Sequence, residues 1–171
     1  MRKIVLFILL LSIVFILGYA YTLNTDRNVF SKDNISFEYP KDWVVATPKN
    51  PDVICAVADP KSVNSSGFAT VSVVIQKKKL NKSLYDTYQE TYTALFSDPR
   101  YQKISESNVT FNGYQAIECI YLVSDGQEKI QRAVWIPHGD EAYIVLCTAP
   151  PNKFKEEKLN FDIVISTFKI S

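Results

Sequence analysis

Hydrophobic positions in this chain follow three patterns. The first is a continuous run, Ile4 to Leu23 (IVLFILLLSIVFILGYAYTL), interrupted only by Ser12, Gly18 and Thr22. At ~1.5 Å of rise per residue it makes a helix of roughly 30 Å, the thickness of a bilayer's hydrocarbon layer. Arg2 and Lys3 precede it and belong on the cytoplasmic side, so that everything after it is delivered outside. A cleavable signal peptide also fits, because Gly18 and Ala20 are small residues at the cleavage-site spacing. The apolar run continues through Tyr19, Tyr21 and Leu23, and tyrosines suit the membrane interface, which favours a retained anchor over residues 1–24. No cysteine closely follows Ala20, which argues against a lipoprotein. A polar linker, 25–29, then leads to a domain spanning 30–171, long enough for one hydrophobic core.

The second pattern is alternation. Ile35, Phe37 and Tyr39 alternate with polar residues after the turn signal Ser31-Lys32-Asp33-Asn34, predicting a half-buried strand that Pro40 ends and Trp43 caps. Val53 to Asp59 is an apolar strand closed by Pro60, Lys61 to Gly67 a loop, and Phe68 to Lys77 the next strand. A meander follows over Gln102–Phe111, Tyr114–Ser124, Gln127–Pro137 and Glu141–Ala149. Its turns are Asn112-Gly113, Asp125-Gly126 and a third around Gly139, the first two being strong hairpin signals.

The third pattern is helical spacing. Ser83 with Asp86 forms a short capping box, and Leu84, Tyr88, Thr91, Tyr92 and Leu95 share a face until Asp98-Pro99 stops the helix. A last helix starts near Asn152, after Pro150-Pro151, with Phe154, Phe161, Ile165 and Phe168 on one stripe.

Two-residue turns would set Phe111 opposite Tyr114 and Ser124 opposite Gln127, so that Val109, Ala116 and Trp135 form one cross-sheet row. The other face would then carry Ile117, Cys119, Tyr121 and Val123 with Ile130, Val134 and Ile136. A sheet apolar on both faces needs cover on both, which predicts an α+β fold in which helices sandwich an antiparallel sheet.

ISFEYPKDW (Ile35 to Trp43), the strand end Val57-Ala58-Asp59-Pro60, the Asn112-Gly113 hairpin with Ala116, and the closing Ile165-Ser166-Thr167-Phe168 resemble the PsbP-like family over Phe30 to Ser171. The family is named for an extrinsic photosystem II subunit. The resemblance implies a PsbP-like α/β/α sandwich and an accessory or assembly role beside membrane complexes rather than catalysis. The photosynthetic members carry a plastid transit peptide where this chain has an apolar anchor, so neither a photosystem role nor their binding residues carry over.

Composition narrows the chemistry. Nineteen basic and eighteen acidic side chains leave a net charge of +1, which is no electrostatic footprint for nucleic acid. His138 is the single histidine; with Asp140 and Glu141 it would need a neighbouring Ser or Cys nucleophile to act as a hydrolase, and a solvated turn is the simpler reading. One imidazole with two carboxylates has no zinc spacing, so no metal and no cofactor is expected. Cys55, Cys119 and Cys147 read as buried free thiols. Cys119 and Cys147 stand two strand spacings apart, about 9.5 Å, too far for a disulfide, whereas a bridge from Cys55 to either stays open. The two-residue register aligns Glu106, Cys119 and Arg132, making Glu106 and Arg132 a structural pair and a candidate ligand cleft. Asn34, Asn64, Asn81 and Asn108 stand in N-x-S/T sequons, with Asn64 the favoured glycosylation acceptor. Lys77, Lys78, Lys79 and Lys82 form the one basic cluster, able to meet anionic lipid or an acidic partner, though a solvated strand end explains it as well.

Together these features predict a single-pass cell-membrane protein, held by Ile4 to Leu23, whose extracytoplasmic domain is a non-catalytic binding or assembly module with a protein partner. The alternative is a small-ligand or ion sensor domain at the cell surface.

Overall fold

The computed structural model describes residues 27–46 and 53–171. The anchor reading of Ile4 to Leu23 and the first linker residues lie outside them, and among the described residues no helix is long and apolar enough to cross a membrane. Strand β1 (Arg27–Lys32) begins inside the stretch read as linker and pairs with β2 (Ile35–Pro40). Asp33 and Asn34 both take positive φ at their turn. That is the backbone a tight type I′ hairpin requires, and Asn and Asp tolerate it best after glycine.

The main sheet holds β3 (Val44–Ala46), β4 (Val53–Ala58), β5 (Ser72–Lys79), β6 (Tyr101–Phe111), β7 (Tyr114–Val123), β8 (Lys129–His138) and β9 (Glu141–Ala149). All its pairings are antiparallel, in the order β3-β4-β5-β9-β8-β7-β6. After β5, helix α1 (Leu84–Phe96) carries the chain over one face to the far edge, and the meander β6 to β9 returns it to the side of β5. Helix α2 (Pro151–Thr167) lies on the other face, and β10 (Lys169–Ile170) joins β2, completing a three-stranded sheet. The sandwich therefore has a helix on each face, and on the α2 side β1, β2 and β10 complete the cover.

Local signals explain most boundaries. Ser83 Oγ accepts the Asp86 backbone N–H and caps α1, and Trp43 is buried with its ring edge-on to Phe161. The β5 strand starts at Ser72, four residues later than its apolar pattern predicts. Phe68 is exposed, because Asn64, Ser62 and Thr70 close the preceding segment into a loop behind a single 3-10 turn, Pro60–Ser62, capped by Asp59.

One register differs from expectation and reassigns a whole strand. Asn112 and Gly113 both take positive φ and give the two-residue turn, with Phe111 opposite Tyr114. At the next connection only Gly126 does, and Ser124–Glu128 forms a longer loop that sets Val123 opposite Lys129. A shift of one residue turns every side chain of a strand to the other face. Trp135 accordingly pairs with Ile117 rather than joining Val109 and Ala116, and it packs with Cys119, Tyr121 and Ala133 under α1. Val134 and Ile136 move to the α2 face with Ala116, Val145, Phe161 and Phe168.

Candidate functional site

The same shift separates Glu106 from Arg132, which the two-residue register would have aligned. Glu106 remains opposite Cys119 on the α1 side, where it pairs with Lys103 at 3.2 Å. Arg132 stands opposite Ile120 and Cys147 on the α2 side. Its Nε donates to Glu118 at 2.6 Å and its Nη1 to Asp162 of α2 at 2.5 Å, while Lys158 also donates to Asp162. Burial pushes the Asp162 carboxyl up, but the bonds from Arg132 and Lys158 outweigh it and hold the group below its ordinary value. A planar guanidinium bridging two carboxylates on separate elements ties α2 to β7 and β8. Both charges are engaged within the fold, so this network is a fastening rather than a cleft.

The basic cluster lies at the opposite end of the sheet surface under α1. Lys77 pairs with Glu141 and Lys82 with Glu90. Lys78 behaves differently: its Nζ donates to the Thr91 hydroxyl at 2.9 Å and sits 5.6 Å from the centre of the Trp135 ring. Beneath it opens a groove of about 550 Å³, floored by Trp135, Ile144 and Leu146 and walled by Tyr92 and Leu95 of α1. Helix α1 contacts β6 and β8, and the groove lies where the sheet runs out from beneath it toward β5. The run of lysines was visible in sequence, but its aromatic floor was not, because the expected register put Trp135 on the other face.

A family profile described as PsbP-like protein matches residues 18–170. The chain belongs to the PsbP-like family. The fold agrees. Cyanobacterial PsbP from Synechocystis is similar with a TM-score of 0.62 and 16% identity, covering 85% of this chain and 93% of that one. LpqN of Mycobacterium tuberculosis, described as involved in cell envelope biogenesis, is similar with a TM-score of 0.52 and 13% identity, covering 85% of this chain and 91% of that one. A Bacteroides thetaiotaomicron protein is similar with a TM-score of 0.54 and 15% identity over 85% of this chain, which spans 48% of the longer relative. No curated protein matches the chain in sequence.

The remaining candidates have structural surroundings in this PsbP-like domain. His138 is exposed at the end of β8, its ring edge-on to Tyr143, while Glu141 opposite it is taken by Lys77. Among the described residues no group of His, Cys, Asp and Glu could hold a metal ion. Of the sequon asparagines, Asn34, Asn81 and Asn108 are exposed. Asn64 is committed to its own loop, its Oδ1 accepting the backbone N–H groups of Ser66 and Phe68 at 3.0 Å each. That loop holds the asparagine in a hydrogen-bonded turn, and Asn34 already has positive φ at a hairpin, so Asn81 and Asn108 offer the freer side chains.

Cys55, Cys119 and Cys147 are free and buried. Cys147 shares the α2 face with Cys55, and Cys119 lies on the α1 face, so the sheet itself separates Cys119 from both. Burial pushes the Cys55 thiol up to about 12 and raises the other two as well. The thiolate is the reactive form, so alkylation of the native chain at pH 8 is expected to be negligible on the scale of minutes. All three should label together once denaturant is added; rapid labelling of one thiol in the native state would contradict its placement in the core.

Proposed function

We propose that this chain is a membrane-tethered, non-catalytic accessory protein whose extracytoplasmic PsbP-like domain binds and supports a membrane complex. The observation that carries this reading is family membership across residues 18–170, joined to the apolar run Ile4 to Leu23 and its basic flank. Two proteins of similar fold come from related settings, one a cyanobacterial PsbP and one a protein involved in cell envelope biogenesis. The short distance between Leu23 and β1 supports a domain held close to the bilayer, where a neighbouring membrane protein is within reach.

The test is a cross-linked pull-down of the full-length, C-terminally tagged chain from its own membranes in mild detergent. A stoichiometric subunit of a membrane complex should co-elute, and the chain should stay in the pellet after alkaline carbonate washing. Recovery of a strict monomer free of partners would sink the assembly role, and release by carbonate would sink the tether. A ligand-sensing role keeps one structural support, the recess beside Lys78.

A further inference from the structure

We infer that the groove between α1 and β5 is a binding site for a small amphiphilic anion, one carboxylate or phosphate on an apolar body, with Lys78 holding the charged end. Its chemistry is divided along its length. Trp135, Ile144, Leu146 and Leu95 supply an apolar floor and wall, while Lys78 stands at the mouth. At about 550 Å³ it falls within the range of small-molecule sites, ~300–1,000 Å³, which are typically apolar with a few placed polar groups.

The charge balance around the mouth leaves Lys78 and Lys79 without a carboxylate partner among the described residues, and of the two only Lys78 sits over an aromatic ring. Glu141 and Glu90 neutralise Lys77 and Lys82. Among the described residues Lys78 has no carboxylate partner, only a neutral hydroxyl and the face of an indole. A cation held over an aromatic ring beside an apolar surface gains when an anion joins it, because the dielectric next to protein is lower than that of bulk water. Lys78 and Lys79 also line a second recess of about 330 Å³, in which Glu90 neutralises Lys82, so the positive charge that an incoming anion meets is that of Lys78 and Lys79. A purely apolar ligand would leave Lys78 without a counter-charge, and a free inorganic anion would leave the apolar floor wet. An amphiphile satisfies both. This site does not require a protein partner, so it stands or falls separately from the accessory role.

The chain's two tryptophans make a direct test. Trp135 floors the groove, whereas Trp43 is packed against Phe161 on the opposite face of the sheet and serves as an internal control. The full-length chain in zwitterionic nanodiscs is titrated with 8-bromooctanoate, whose bromine quenches an indole it touches, and in parallel with 8-bromooctanol. The expected result is saturable quenching by the carboxylate at least about tenfold tighter than by the alcohol, as a charge-assisted hydrogen bond implies. Trp135→Phe should abolish the quenching and Trp43→Phe should retain it. Lys78→Gln should reduce the carboxylate's affinity to that of the alcohol, and Lys129→Gln, at the far end of the sheet, should change nothing. Lys78 is exposed, so its replacement leaves the fold intact, and an unchanged melting temperature verifies this. Equal affinity for the two probes would overturn the anion-binding role of Lys78. Absent or non-saturable quenching, or quenching that follows Trp43, would overturn the site.

Discussion

Trp135→Ala is expected to destabilise the domain by about 4 kcal/mol, the upper part of the range for deleting a buried aromatic. The indole is almost fully buried, meets Tyr88 edge-on at 5.8 Å and Tyr92 at 6.0 Å, and donates its Nε1–H to the Tyr92 hydroxyl at 3.3 Å. Removing it opens a cavity at the junction of β7, β8, β9 and α1 and leaves the buried Tyr92 hydroxyl without its donor. The effect would be read from urea unfolding followed by far-UV circular dichroism, with the transition slope preserved if only stability changes. A loss below about 1 kcal/mol would mean that α1 does not pack as described. Tyr88→Phe provides the contrast. Its hydroxyl is buried with no hydrogen bond of ordinary geometry, its polar neighbours being the Cys119 thiol and Glu106, so deleting it should change stability by less than about 1 kcal/mol.

Arg132→Met should cost about 3 kcal/mol at pH 7, because removing one partner of a buried ion pair leaves uncompensated charge. Most of the loss comes from Glu118, whose side chain, like that of Arg132, is about 15% exposed. Asp162 is 35% exposed, so solvent screens it and its share is smaller. The pH dependence has a definite sign. Asp162 titrates below its ordinary value of 3.8 in the folded chain, so its contribution is present above that value and is lost as pH falls through the lowered one. In the methionine variant only Lys158 still holds the Asp162 carboxylate, so that contribution is smaller, and the gap between the two proteins should be widest near neutrality and narrow as pH falls below the ordinary value of 3.8. Arg132→Lys should recover only part of the loss, because a single ammonium cannot span carboxylates on a strand and a helix. Denaturation midpoints for the three proteins at pH 7 and pH 2 decide the matter; a constant gap across that interval would show that the ionic bond to Asp162 is not part of what Arg132 contributes.

Strand and helix identities were legible because they rest on local chemistry. Ile35, Phe37 and Tyr39 alternate, and all three are buried. Ser83 caps α1 as its position before a periodic run implies, and Asn112-Gly113 forms the turn that its unusual backbone freedom allows. Resemblance over Ile35 to Trp43 and the C-terminal Ile165 to Phe168 pointed to the family to which the profile assigns the chain. The sequence by itself thus determined the apolar run, the order of the meander strands and the two helices, the two apolar faces of the sheet and the family.

Tertiary structure decided which residues meet. Whether Asp125-Gly126 closes in two residues depends on Asp125 taking positive φ, which an Asp can adopt but need not. It does not do so here, and the longer Ser124–Glu128 loop moves β8 by one position. That single step, invisible in composition or periodicity because both faces of β8 are apolar, separates Glu106 from Arg132 and joins Arg132 to Glu118 and Asp162. It also brings Trp135 beneath Lys78, which turns a run of solvated lysines into the mouth of an apolar groove. Side-chain alternation settles register only when one face is polar; where both are buried, loop geometry and packing make the choice.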